Sequence, residues 1–310
     1  MATVTRKALS NLQPEAFMHP SDVVALTAVK NVWGLDTVVR KMNEHGFEKV
    51  YRLRHMGGNI RVTERTCPKY YKMVGECAKI LDMTNLPDLY IEQTPMVNAY
   101  TTGVEHPMIV LNSGLIDFMN DDEVFAVVAH EMGHIKCDHV LYHTVAQFLS
   151  VASGMLGLAG LAVAGINLAL LEWSRKSELS ADRAALLAVQ DPNVVTTVLM
   201  KLAGGSQKIA SEIHYGDFIQ QSKDYKELAN SSTLNTMYTI FNNMSREHPF
   251  PVMRASEIVD WAKGGEYADI ISGTRRAPSI SKIDGLCPNP KCKKTVPQGS
   301  KFCPNCGYKF

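Results

Sequence analysis

The chain has 310 residues, 45% of them hydrophobic and 20% charged, with a formal net charge of +1. That length admits one large domain or two ordinary ones, the apolar share suits a sizeable core, and the charged share argues against global disorder. The near-zero charge leaves no electrostatic footprint for nucleic acid or an anionic membrane, so nucleic acid is not an expected partner. The opening stretch MATVTRKALSNLQPEAFMHP lacks the apolar run of a signal peptide, which points to the cytoplasm. Four of the seven cysteines fall in the last 24 residues, and in a reducing compartment such crowding suggests metal rather than disulfides.

Residues 1 to 60 read as an N-terminal helical region, with apolar periodicity through DVVALTAVKNVWGLDTVVRKMNEHGFEKVYRL. MGGNIRV then reads as a glycine turn leading into a short strand. KYYKMVGECAKILDM has the spacing of an amphipathic helix. Between Pro87 and Leu111 the segments DLYIEQ, VNAYTTG and HPMIVLN are short, β-branched and punctuated by Pro and Gly, which predicts a small antiparallel sheet. NDDEVFAVVAHEMGHIKCDHVLYHTVAQFL follows as one long helix, N-capped by Asn120, with Glu123 completing a capping box. Residues 172–190 form a second strong helix, stopped by Asp191-Pro192, and more helices run to about residue 270. SGTRRAPSISKIDG, residues 272–285, reads as a linker to the cysteine-rich tail at 286–310. The fold class expected is α+β, mainly helical.

Chemistry concentrates in HEMGHIKCDH. His130 and His134 are four apart, so on a helix they stack on one face and can share a metal ion. Glu131 beside them is placed to reach a metal-bound water, which is the H-E-x-x-H pattern of zinc peptidases. Catalytic zinc usually has three protein ligands and an open position. The second helix offers Glu178 as the third, and Asp182, one turn later, as the acceptor that fixes the tautomer of a ligand histidine. A solvated acidic face paired with Arg175 and Arg183 is the bland alternative. His139 and His143 are also four apart, but nothing in the sequence supplies a third ligand, so helix–helix hydrogen bonding is expected there. Cys137 is expected to be a buried, inert thiol.

HEMGHIKCDH, then SRKSELSADRAA, then HPFPVMRA resembles the HtpX-like gluzincin metallopeptidases, relatives of the CAAX prenyl endopeptidases; the run VNAYTTG to HPMIVLNSGLIDFM is similar to that family's segment before the zinc helix. The resemblance covers about residues 50 to 265, and residues 61–271 are expected to form the peptidase domain. It implies catalytic zinc on His130, His134 and Glu178, with Glu131 as general base on the zinc-bound water. His248 and Arg254 match the family's downstream histidine and arginine, which implies His248 at the oxyanion and Arg254 in positioning. Substrate backbone is expected to pair with an edge strand at Asn98, Ala99 and Tyr100. HtpX itself carries membrane-spanning helices before its zinc motif, whereas residues 1–126 here hold no uncharged run long enough to span.

Residues 148–171, FLSVASGMLGLAGLAVAGINLALL, are uncharged and would make a helix of about 36 Å, enough to cross a bilayer. A crossing there would put Glu178 on the opposite side from His130, so a buried hairpin is expected, with peripheral association on the inner face of the membrane as the alternative. In the tail, Cys287, Cys292, Cys303 and Cys306 have the spacing C-x4-C-x10-C-x2-C and read as a zinc ribbon, a structural metal site and a candidate protein-binding module. The function expected is therefore a zinc-dependent endopeptidase acting on protein or peptide substrates. Its rival is a non-catalytic, zinc-stabilised adaptor, which would have no use for a base beside the metal.

Overall fold

The computed structural model describes residues 6–30, 35, 46–153, 160–206, 208–209, 212–232 and 250–275, with backbone alone at 47, 150–153, 160–164 and 230. Helices α1 (Pro20–Lys30), α2 (Phe47–Gly58) and α3 (Pro68–Ile80) precede or flank strands β1 (Ile60–Arg61), β2 (Asp88–Glu92), β3 (Ala99–Thr102) and β4 (Met108–Asn112). Then come α4 (Ser113–Phe118), α5 (Asp121–Lys136), α6 (Val140–Ser153), α7 (Gly160–Val189), α8 (Pro192–Gly204), α9 (Tyr215–Asn230), α10 (Pro251–Lys263) and α11 (Gly265–Ser272). The architecture is α+β and mainly helical, as the patterning predicts.

The sheet is mixed, which corrects the antiparallel expectation. Its strand order is β1-β2-β4-β3, and β2 runs parallel to β4 with Leu89 opposite Ile109 and Ile91 opposite Leu111. After β2 the chain crosses to the far edge as β3 and returns through a tight hairpin, so β4 is inserted between them. That hairpin needs Gly103 at φ 87°, where a Cβ would sit 2.4 Å from the His106 carbonyl oxygen. Glu48 on α2 fixes the hairpin tip by accepting from the backbone N–H groups of Val104, Glu105 and His106 at 2.8–3.0 Å. Every residue of β4 is buried, which explains its continuous apolar run. Ile109 and Leu111 join the main core, while Met108 and Val110 pack with Tyr90 on the opposite face.

The predicted long helix is two helices. Asn120 caps α5 with the expected capping box. The helix ends at Lys136 because Asp138 takes φ 57°, a left-handed conformation that Asp tolerates better than most residues. His139 N–H then donates back to the His134 carbonyl at 2.9 Å. In an unbroken helix, residue 139 would lie about 140° around the axis from residue 134. The break instead folds His139 and His143 back beside His134, with the 134–143 ring centroids 5.0 Å apart.

Helix α7 begins inside the uncharged segment and runs 30 residues, longer than the 172–190 expected. The segment 148–171 thus contributes the end of α6 and the start of α7, which pack against each other. Among the described residues no helix is long and apolar enough to cross a membrane. Helix α1 packs on both: Leu26 and Val29 share a core with Val145, Leu149, Leu170 and Trp173. Where α5 crosses α7, Gly133 allows close approach, since a Cβ there would meet Ala184 Cβ at 2.7 Å and Ala181 Cα at 3.1 Å. This crossing lies in the main core, together with Leu9, Leu12 and Phe17 from the N-terminal segment and Ala255 and Ile258 from α10.

Candidate metal centre

The close α5–α7 crossing brings His130 and His134, on one face of α5, against Glu178 on α7. His130 Nε2 lies 3.3 Å from His134 Nε2 and 3.4 Å from Glu178 Oε2, and His134 Nε2 lies 3.3 Å from Glu178 Oε1. A tetrahedral zinc with bonds of about 2.0–2.1 Å holds its ligand atoms about 3.4 Å apart, so this triangle has the size that the ion requires. All three side chains are buried.

The ring nitrogens that point away from the triangle account for the tautomers. His130 Nδ1 lies 3.0 Å from Asp182 Oδ1 and donates to it; His134 Nδ1 lies 3.0 Å from His139 Nδ1. With those outer nitrogens protonated, both Nε2 atoms face a carboxylate, an arrangement that calls for a cation, proton or metal, between them. Burial alone would lower the His130 pKa, but the Asp182 and Glu178 carboxylates outweigh it and raise it to about 10. The same negative field favours a metal. His134, for which burial dominates, is shifted down.

Arg254, from α10, closes the back of the site. Its Nε and Nη2 donate to the two oxygens of Asp182 at 2.7 and 2.6 Å, and its Nη1 lies 3.3 Å from Glu178 Oε2. Burial pushes the Asp182 carboxyl up, yet Arg254 and His130 overcome it and hold the pKa at about 2.

Glu131 is buried beside the triangle, and Thr101 Oγ1 on β3 donates to its Oε2 at 2.7 Å. A cleft of about 450 Å³ opens over these groups. It is lined by His130, Glu131 and Glu178, by Asn98 and Ala99 at the start of β3, and by the apolar side chains of Val127, Val195, Val198 and Leu199. Strand β3 is an edge strand whose outer side pairs with no strand among the described residues.

His134, His139 and His143 also offer ring atoms within 4.8 Å of one another. His143 instead meets the Ser177 and Ser174 hydroxyls at 3.0 and 3.2 Å, His134 Nδ1 and His139 Nδ1 face each other, and His139 Nε2 lies 3.0 Å from Asp22 Oδ2. The bland alternative for α7 does not hold. Arg175 pairs with Glu172, and Arg183 donates to the Phe17 and Met18 carbonyls, leaving Glu178 and Asp182 to the site. Cys137 is buried, which pushes its thiol pKa well up, as an inert cysteine requires. His248 and the four tail cysteines lie outside the described residues.

Thr101 and Asp22 escape the sequence reading. Thr101 is two residues beyond Ala99 and so shares its face of β3, but only the sheet's position over α5 shows that this face meets Glu131. Asp22 is 112 residues before His134, and no local pattern links them.

Two imidazoles and a carboxylate in a zinc-sized triangle, with a second carboxylate beside them in an open cleft, define a zinc metallopeptidase. The comparisons agree: Peptidase family M48 matches residues 68–262, and the chain belongs to that family, in its HtpX-like branch. A plastoglobule-localized metallopeptidase 48, chloroplastic, of Arabidopsis thaliana is 34% identical over 276 residues, 88% of this chain and 80% of that protein. HtpX protease homologues of Burkholderia mallei and Burkholderia pseudomallei are 26% identical over 234 residues, 66% of this chain and 78% of theirs. No solved structure matches.

Proposed function

We propose that the protein is an endopeptidase in which His130, His134 and Glu178 hold the zinc and Glu131 is the general base. The observation that carries this reading is the position of Glu131, next to the zinc-sized triangle in a cleft that edge strand β3 helps to line. When bound, the zinc would polarise the scissile carbonyl and lower the pKa of a water. Glu131 takes the attacking water's proton on its carboxylate and passes it to the leaving amine. Thr101 holds one Glu131 oxygen and leaves the other to face the water. Arg254 acts by fixing Asp182 and Glu178, and His248 is assigned to the oxyanion.

Substrate backbone pairs with β3 along Asn98, Ala99 and Tyr100, and the apolar lining accepts an apolar side chain next to the scissile bond. Residues 61–271 are the proposed peptidase domain, joined through 272–285 to a ribbon that carries a structural zinc on Cys287, Cys292, Cys303 and Cys306 and is a candidate surface for a protein partner. Metal analysis of the full chain then reads two zinc ions. The proposed location is cytoplasmic. Peripheral attachment to the inner face of the cell membrane is the alternative, supported by Leu168, half exposed in the apolar segment; cell fractionation separates the two.

The function is tested by cleavage of unfolded proteins. Wild type should cut them, and Glu131→Gln should cut them at least a thousandfold more slowly with its zinc retained. Near-normal turnover by Glu131→Gln would sink the mechanism.

A further inference from the structure

The two histidines of the triangle are supported differently. His130 rests on a carboxylate directly. His134 rests on another imidazole, His139, which is fully buried and turns its other nitrogen to Asp22 of α1. We propose that Asp22 is a positioning residue for His134, acting through His139. The proposal rests on the reading of His134 as a zinc ligand.

Asp22 is itself fully buried. Trp173 Nε1–H donates to its Oδ1 at 2.9 Å, Ser180 Oγ–H donates to its Oδ2 at 2.5 Å, and His139 Nε2 lies 3.0 Å from Oδ2. The last contact is bent rather than in line, and His139 Nε2 has no better-aligned partner among the described residues. Burial works to raise the Asp22 pKa, but the contacts from His139, Ser180 and Trp173 hold it below the usual carboxylate range. An ionised carboxylate only accepts, so His139 carries its proton on Nε2 and leaves Nδ1 as a lone pair. His134 must then place its proton on Nδ1 to donate to it. That leaves His134 Nε2 bare and facing Glu178, the state a metal ligand needs.

The substitution Asp22→Asn reverses the chain of proton positions with almost no change in shape. Trp173 can only donate, so the single amide oxygen of the new side chain stays with it and the amide NH2 faces Ser180 and His139. His139 then accepts on Nε2 and carries its proton on Nδ1, against His134. His134 must accept there and carry its proton on Nε2, inside the metal triangle. A catalytic triad behaves in the same way: exchanging its Asp for Asn leaves the geometry intact but fixes the wrong histidine tautomer, and most of the activity is lost.

The test measures zinc retention by the full chain against graded chelator, with His134→Ala defining the zinc that does not belong to this site. Asp22→Asn should bind the site zinc about 10–100-fold more weakly than wild type. Ser180→Ala, which removes a donor from Asp22 but keeps its charge, should stay within about twofold. If Asp22→Asn does not fold, the pair His139→Asn and His139→Leu reads the same link. Asn can present an acceptor where His139 Nδ1 sits and should keep the zinc, whereas Leu should lose it to the same extent as Asp22→Asn. Affinity within about twofold of wild type in Asp22→Asn, or equal affinities in the two position-139 variants, overturns the proposal while leaving the metal centre intact. Wild type indistinguishable from His134→Ala overturns the metal centre and the relay with it.

Discussion

The two halves of the triangle compare as direct and indirect support. On the His130 side, Asp182 touches the imidazole and is itself clamped by Arg254. On the His134 side, a second imidazole stands between His134 and the carboxylate, and that carboxylate comes from the N-terminal helix α1. The direct side draws its two acids from one helix, since Glu178 and Asp182 are four apart on α7. The indirect side requires the chain to break at Asp138 and α1 to pack over the break. The difference teaches that the centre is not a property of the H-E-x-x-H helix alone. It is built by three helices and the strand edge around that helix.

Breaking the triangle itself should have the largest effect. Glu178→Ala removes the carboxylate that both histidines face, so zinc content should fall by one ion per chain and peptide hydrolysis should vanish. Metal analysis together with a peptide assay checks this, and full zinc content in the variant would move the third ligand elsewhere. Next in size is the clamp on the direct side. Arg254→Met leaves the Asp182 carboxylate buried without its cation, and breaking such a pair costs about 3–5 kcal/mol. Chemical denaturation should show a loss of that order, and an unchanged midpoint would mean that Arg254 contributes nothing to holding Asp182. The smallest effect is expected at the base. Thr101→Val removes one hydrogen bond to Glu131, worth about 1.5–3 kcal/mol to a charged group at most. It should lower kcat by roughly tenfold and leave zinc content and KM near wild type. A change in KM alone would instead make Thr101 a substrate contact.

The same comparison explains what the sequence could disclose. His130, His134, Glu178 and Asp182 lie at helical spacings, so their shared faces can be read from residue numbers. The capping box at Asn120 and Glu123 is local and could be read too. The break at Cys137–Asp138 could not, because the apolar periodicity continues through it and one left-handed residue decides it. The parallel β2–β4 pair is equally silent: short strands signal a sheet, but their order depends on which pair the crossing loop separates. Asp22 and Thr101 act across 117 and 30 residues, and only packing brings them to His139 and Glu131. Arg254 was legible as a positioning residue through resemblance, but its partners became visible only with α10 in place.

Zinc-edge anomalous diffraction from crystals of the full chain tests the central claim most directly. The account predicts a peak about 2.0–2.1 Å from His130 Nε2, from His134 Nε2 and from a Glu178 oxygen. A peak among His134, His139 and His143 instead, or no peak between α5 and α7 in zinc-replete protein, would contradict it.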